Sequence, residues 1–344
     1  MSTLNRRSLL TGGGALALAG FLTACSEEAP PPAVPTGPKA ESSLPVVTAE
    51  QLGSYLEAIH SSLQQADEAR DAALLAPRVV GSAARFRQAT YEIIAKDDTW
   101  AQNLARPGAS AVVPITSTQA EFPRTAMALA AAETEGAAPY FMILQQADAR
   151  SPYTTWGWAQ QAVGIDMPAV ASPQVGGESV PADAADLVMT PADALALYAS
   201  VLSNGDTVDP EDKLAPNPFQ TGTFQQIQTE RAELNAGVQQ DEVATIHEEY
   251  AASPDEIAGM RTEDGGAIIL GTLTSSRTVA IKDGAKVNYA EDNIYTRIIG
   301  RKEFSKEYVR DYGTTVALYI PAAAVGGQVQ PIGATRTVLG AHGE

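Results

Sequence analysis

The sequence predicts an α+β protein made of two tandem domains, each with helices first and a curved antiparallel sheet after them. Three observations carry this expectation. Amphipathic helices start at Thr48 and again at Thr190, and short apolar runs separated by turn residues fill the later part of each half. Short segments also recur in the same order in both halves, the mark of an internal duplication.

The chain starts with an address. Arg6-Arg7 precede Ser8-Leu9-Leu10, a Gly- and Ala-rich apolar stretch follows, and Leu22-Thr23-Ala24-Cys25 ends it. A basic start, a short apolar segment and small residues at the cut point define a secretory signal. Paired arginines are the twin-arginine export type, read by a receptor. The apolar stretch is too short and glycine-rich for a span, which needs about 20 apolar residues. Residues 1–24 are therefore read as signal peptide, with Cys25 carrying palmitate-type acyl chains at the extracytoplasmic face of the cell membrane. Cys25 is the sole cysteine, so neither a disulfide framework nor a thiolate metal site is available.

Residues 25–45 hold the cysteine and a proline-rich tether, extended at about 3.1 Å per residue. The first domain is placed at 46–164. Thr48 with Gln51 makes a capping box, and Leu52, Leu56, Ile59 and Leu63 follow at helical spacing. Val112–Ser117 and Arg124–Leu129 read as strands. A connector, 165–188, is rich in Pro, Gly and Ala. The second domain spans 189–344, where Thr190-Pro191-Ala192-Asp193 starts a helix. Ile268–Leu273, Thr278–Ile281, Val287–Tyr289 and Thr315–Ile320 read as strands; Val243–Tyr250 is ambiguous, its apolar positions fitting a helix and its alternation a strand, and the hairpin series that follows favours strand. Turns fall at Glu263–Gly266, Lys282–Gly284 and Gly326-Gly327. The recurring segments are Leu74-Leu75-Ala76-Pro77 with Lys213-Leu214-Ala215-Pro216, and Phe86, Gln88 and Glu92 with Phe224, Gln226 and Glu230.

The runs Pro152-Tyr153-Thr154-Thr155-Trp156-Gly157-Trp158, Thr190-Pro191-Ala192 and Arg261–Ala267 carry a resemblance. In these the chain resembles an uncharacterised family of actinobacterial, Tat-exported lipoproteins with a domain of unknown function. That resemblance implies an envelope location and no activity. The order of helix then curved sheet is similar to NTF2-like and cystatin-like folds, and fold alone does not imply function.

Charge narrows the partners. The chain carries 23 Lys and Arg against 41 Asp and Glu, a formal net charge of −18. Losing Arg6 and Arg7 with the signal makes it more acidic still. Nucleic acid is excluded as a partner, since its backbone must be neutralised by cations. Three histidines, His60, His247 and His342, show no zinc spacing, and His247-Glu248-Glu249 lacks the second histidine of a zincin helix. No nucleophile elbow or phosphate-binding glycine loop is present. Asp206, Asp209 and Asp212 lack the register of a calcium loop. Tyr153, Trp156 and Trp158 are the candidate surface for a ligand or partner. If on a strand, Trp156 and Trp158 share one face.

The expectation is thus a non-catalytic envelope lipoprotein without cofactor or metal. It would bind membrane lipid through Cys25, and an envelope protein or a small apolar ligand through its body. Two alternatives stand beside it: a solute-binding lipoprotein of a transporter, and a hydrolase using carboxylates such as Asp264 or Glu291. The address is directly testable. Cys25→Ser should move the protein from the membrane fraction to the soluble fraction or block its processing. Unchanged retention would overturn the lipid anchor.

Overall fold

Thr48 opens the first helix as its capping box requires. Its hydroxyl accepts from the Gln51 backbone N–H, and the Gln51 side chain accepts from the Thr48 N–H. The computed structural model describes residues 44–344. In it α1 (Ala49–Ala69) and α2 (Gly81–Ile94) precede β1 (Pro107–Ile115), β2 (Arg124–Ala132), β3 (Tyr140–Gln146) and β4 (Trp158–Gln160). These four strands form an antiparallel meander in chain order. The pattern then recurs. After the short strand β5 (Ser179–Val180) come α3 (Pro191–Asn204) and α4 (Pro218–Leu234), then β6 (Ala244–Arg261) and β7 (Ala267–Ile281). The chain ends with β8 (Val287–Asn288), α5 (Ile294–Ile299), β9 (Glu303–Phe304), β10 (Glu307–Ile320) and β11 (Gln330–Gly343). The second sheet has the order β11-β10-β7-β6-β5, all antiparallel, and β8 pairs with β9.

Alternation of side chains explains how these elements stack, because neighbouring residues of a strand face opposite sides. In the first sheet Ala126, Ala128, Tyr140, Met142 and Leu144 pack with Leu52, Leu56, Ile59 and Leu63 of α1. Their neighbours Met127, Leu129, Phe141 and Ile143 face the other way and meet Met260, Ile268, Leu270 and Ala317 of the second sheet. The second sheet buries its remaining face, with Ile269, Leu273, Val316 and Leu318, under Leu195, Tyr198 and Leu202 of α3. The result is four layers: helices, sheet, sheet, helices.

Several expectations change in consequence. The apolar runs Ile268–Leu273 and Thr278–Ile281 are one long strand, since β7 is buried on both faces along its first half. Thr315–Ile320 is only the end of β10, and β11 was not foreseen. Each half has a core of its own, under α1 and under α3, and a third core between the sheets joins the halves into one compact unit over the described residues, with Ser179-Val180 as the edge of the second sheet.

Two further links tie the halves. The α2 N-cap residue, Val80, supplies no side-chain hydrogen bond. Glu256 of β6 does so instead, accepting from the Ser82 backbone N–H at 2.7 Å and from the Ser82 hydroxyl. Gly81 must be glycine here: its φ is +56°, and a Cβ would lie 2.4 Å from the Glu256 carboxylate. At the other end, the chain leaving β4 covers the β11 edge, with Ala162 N–H donating to Ile332 C=O at 2.8 Å. A Cβ on Gly333 would sit 2.7 Å from the Gln160 carbonyl oxygen. Gly333→Ala should therefore cost about 1–3 kcal/mol by overpacking, read as a lowered denaturation midpoint. An unchanged midpoint would show that this seam is not closely packed.

Candidate functional site

A cavity of about 340 Å³ lies between elements of the two halves. From the first half, α2 supplies Phe86, Arg87 and Thr90, the 98–103 turn supplies Trp100 and Asn103, and β4 supplies Trp158. From the second half come Gln226 of α4, Arg277 of β7, Tyr295 of α5, Arg310 and Tyr312 of β10, and Arg336 of β11. Four arginines and no acidic residue line it. In a chain of net charge −18 this is a local inversion of sign.

Strand register places the cations. Glu248 on β6 lies directly opposite Arg277 on β7, and Arg277 directly opposite Arg310 on β10. Like charges opposed across strands repel, so carboxylates intervene. Glu248, fully buried, accepts from Arg277 Nε at 2.7 Å, Arg336 Nη2 at 2.6 Å and the Ser275 hydroxyl at 2.6 Å. Glu230 on α4 accepts from Arg310 Nη2 at 2.7 Å. Arg87 has only 4% of its side chain exposed; its Nε is 3.2 Å from Asp67, and its Nη2 donates to the Ala105 carbonyl. Asp67 also accepts from the Tyr91 hydroxyl.

Aromatic rings complete the walls. The Arg336 guanidinium lies 3.6 Å from the Tyr312 ring centroid, Arg310 lies 5.4 Å from that of Tyr295, and Arg87 lies 5.5 Å from that of Trp158. Stacking on the ring faces attracts these guanidinium groups and holds them in place. Each of the four lining arginines keeps a buried nitrogen without a hydrogen-bond acceptor: Arg87 Nε, Arg277 Nη2, Arg310 Nε and Arg336 Nε.

Protonation is settled by these contacts. Burial works to raise the Glu248 carboxyl, but Arg336, Arg277 and the hydrogen bonds outweigh it and hold its pKa below the ordinary value. Burial likewise opposes charge on Arg310 and Arg336, yet Glu230 and Glu248 with the neighbouring tyrosines leave both above the usual range. Burial lowers Arg87, against Asp67. Burial raises Tyr295, so its phenol stays neutral.

The residues singled out in the sequence fall in different places. Tyr153 is buried and stacks on Tyr55 at 4.5 Å. Trp156 is buried between the sheets, its Nε1 donating to Gln145 at 2.9 Å. Trp158 alone of the three lines the cavity. The two tryptophans do not share a face: Trp156 precedes β4 and joins the inter-sheet core, while Trp158 joins the core under α1. Cys25, Arg6 and Arg7 lie outside the described residues. His60 Nδ1 is 3.1 Å from the Pro107 carbonyl, His247 pairs with Glu249 in solvent, and His342 sits near Asp311. Asp264 is engaged by Thr262, Gly266 and Tyr319 within the β6–β7 turn, and Glu291 is exposed. Asp206 and Asp209 accept from Gln220 and the Leu214 N–H. Among the described residues no cluster of three or more His, Cys, Asp or Glu could hold a metal ion, and no helix is long and apolar enough to cross a membrane.

The arginines escaped the sequence reading because they are far apart in the chain and follow no motif. One signal existed. Tyr308-Val309-Arg310-Asp311-Tyr312 puts an arginine in phase with two tyrosines on a strand, a cation at a core-facing position.

Glu248→Gln would leave Arg277 and Arg336 without a buried carboxylate. It should destabilise the protein by about 3–5 kcal/mol, measured by denaturant titration. The wild type has a matching pH dependence. A depressed carboxyl pKa contributes stability above its unfolded value of 4.5, and loses it as pH falls through the lower folded value. Glu248→Gln should flatten that acid limb; an unaltered limb would remove Glu248 as its source.

One family model matches this chain, the one described as Domain of unknown function (DUF8094), over residues 43–343. No curated protein and no solved structure matches it. A match over almost the whole described chain, both sheets and the cavity included, means that the protein belongs to the DUF8094 family.

Proposed function

We propose that this protein is a non-catalytic binding lipoprotein, anchored through Cys25 at the extracytoplasmic face of an actinobacterial cell membrane after twin-arginine export. Its arginine-lined cavity holds a small-molecule ligand. The observation that carries this reading is the cavity itself. At about 340 Å³ it lies within the size range of ligand sites, and aromatic rings with convergent polar groups line it.

A binding role fits the chemistry better than catalysis. Arginines are fixed cations, Glu248 is held ionised by two of them, and no histidine lines the cavity. None of these groups is poised to exchange a proton near neutrality. A hinged, two-lobed solute receptor would be built from βαβ units; both large sheets here are antiparallel meanders sharing one core. The cavity also shifts the expected occupant away from a purely apolar one.

An internal duplication of an NTF2-like or cystatin-like unit belongs to the same reading. Phe86, Gln88 and Glu92 sit on α2 where Phe224, Gln226 and Glu230 sit on α4. The cavity uses both copies, with Phe86 from one and Gln226 from the other.

Native mass spectrometry of the lipoprotein, gently extracted from its own envelope, tests the proposal. A small mass should accompany the folded wild type, leave on denaturation, and be absent from Thr337→Trp, which fills the cavity. A bare protein in both cases would overturn the ligand reading.

A further inference from the structure

We infer that the cavity selects a singly charged organic anion: a carboxylate joined to a flat ring system. The inference rests on the ligand-cavity reading above and adds its chemistry. Charge comes first. The four lining arginines face three carboxylates, Asp67, Glu230 and Glu248, so one positive charge is left over. Arg106 also approaches Asp67, but Glu133, likewise at 3.8 Å, balances it. A ligand with one negative charge neutralises the site. A dianion would leave a surplus negative charge beside the buried carboxylates Glu248 and Asp67, which repel it.

Geometry supplies the second constraint. Arg277, Arg310 and Arg336 are pinned by Glu248 and Glu230, so they are oriented before any ligand arrives. All three residues line the cavity. The guanidinium fork matches the planar oxygens of a carboxylate, and its fixed orientation lowers the entropy lost on binding. The rest of the lining specifies a ring. Trp100, Trp158, Phe86, Tyr295 and Tyr312 present aromatic surface, while Thr315 and Thr335 add only hydroxyls. A free inorganic anion would leave that aromatic surface without a partner, and a neutral ring would leave the surplus charge unmet.

The test uses three probes on the full chain: 2-naphthoate, its neutral isostere naphthalene-2-carboxamide, and inorganic phosphate. Trp100 and Trp158 line the cavity, so quenching of tryptophan fluorescence reports entry, and calorimetry gives the affinity. Naphthoate should bind at least ten-fold more tightly than the carboxamide. Phosphate should neither bind comparably nor displace naphthoate. Arg336→Gln should erase the preference for naphthoate over the carboxamide, and Arg336→Lys should restore part of it. Should Arg336→Gln not fold, the comparison of the two naphthalene probes on wild type still decides the matter. Equal affinity for both overturns the anion requirement and leaves the ligand cavity standing. Phosphate binding as tightly as naphthoate overturns the ring requirement. Binding of none of the three at millimolar concentration overturns the ligand cavity itself.

Discussion

The structure depends on sheets that are buried on both faces. β2, β3 and the first half of β7 each send alternate side chains into two different cores, so along this seam the sheets are covered on both faces. Once Met127, Phe141 and Ile143 meet Ile268 and Leu270, a helical layer is needed on each outer face. α1 supplies it on the first sheet and α3 on the second, while α2 lies against β11. A strand that must be apolar on both sides also reads as a continuous run, which is why Ala267–Leu273 shows almost no alternation.

Against that apolar stack, the arginine cluster is an investment in polarity. Buried ion pairs seldom stabilise a fold relative to well-packed hydrophobic residues of similar size. Arg277 opposite Arg310 is worse than neutral unless Glu248 and Glu230 are present to separate their charges. A fold needing only stability has a simpler solution in the same place. The cluster is intelligible as preparation: fixed cations, rigidly held against tyrosines, beside a cavity that carries no acid of its own. On the proposed binding reading, the acidity of the rest of the chain adds selectivity, since anions are repelled by a negatively charged surface.

Much of the local structure was legible beforehand. Thr48 and Thr190 begin helices as their side chains predict, because N-capping depends on residues three positions apart. Glu263–Gly266 and Gly326-Gly327 turn the chain where their backbone freedom indicates, and the ambiguous Val243–Tyr250 region is a strand. Strand extent was less legible. β7 runs through Thr274-Ser275-Ser276-Arg277, residues that look like an interruption but continue the hydrogen-bonded ladder to β6 and β10. The aromatic triplet illustrates the limit differently. Tyr153, Trp156 and Trp158 were the conspicuous residues, yet two of them are core and only Trp158 reaches the cavity.

Local chemistry alone determined the helix starts, the turns, the α+β order within each half and the acidic balance of the chain. These are properties of short windows or of composition, and no distant contact is needed to read them. Tertiary structure decided that the halves meet through a core between their sheets, because that depends on which apolar faces meet. It also decided the site. Arg87, Arg277, Arg310 and Arg336 are dispersed along the sequence, and only strand register, with α2 brought alongside, places their charges around one space.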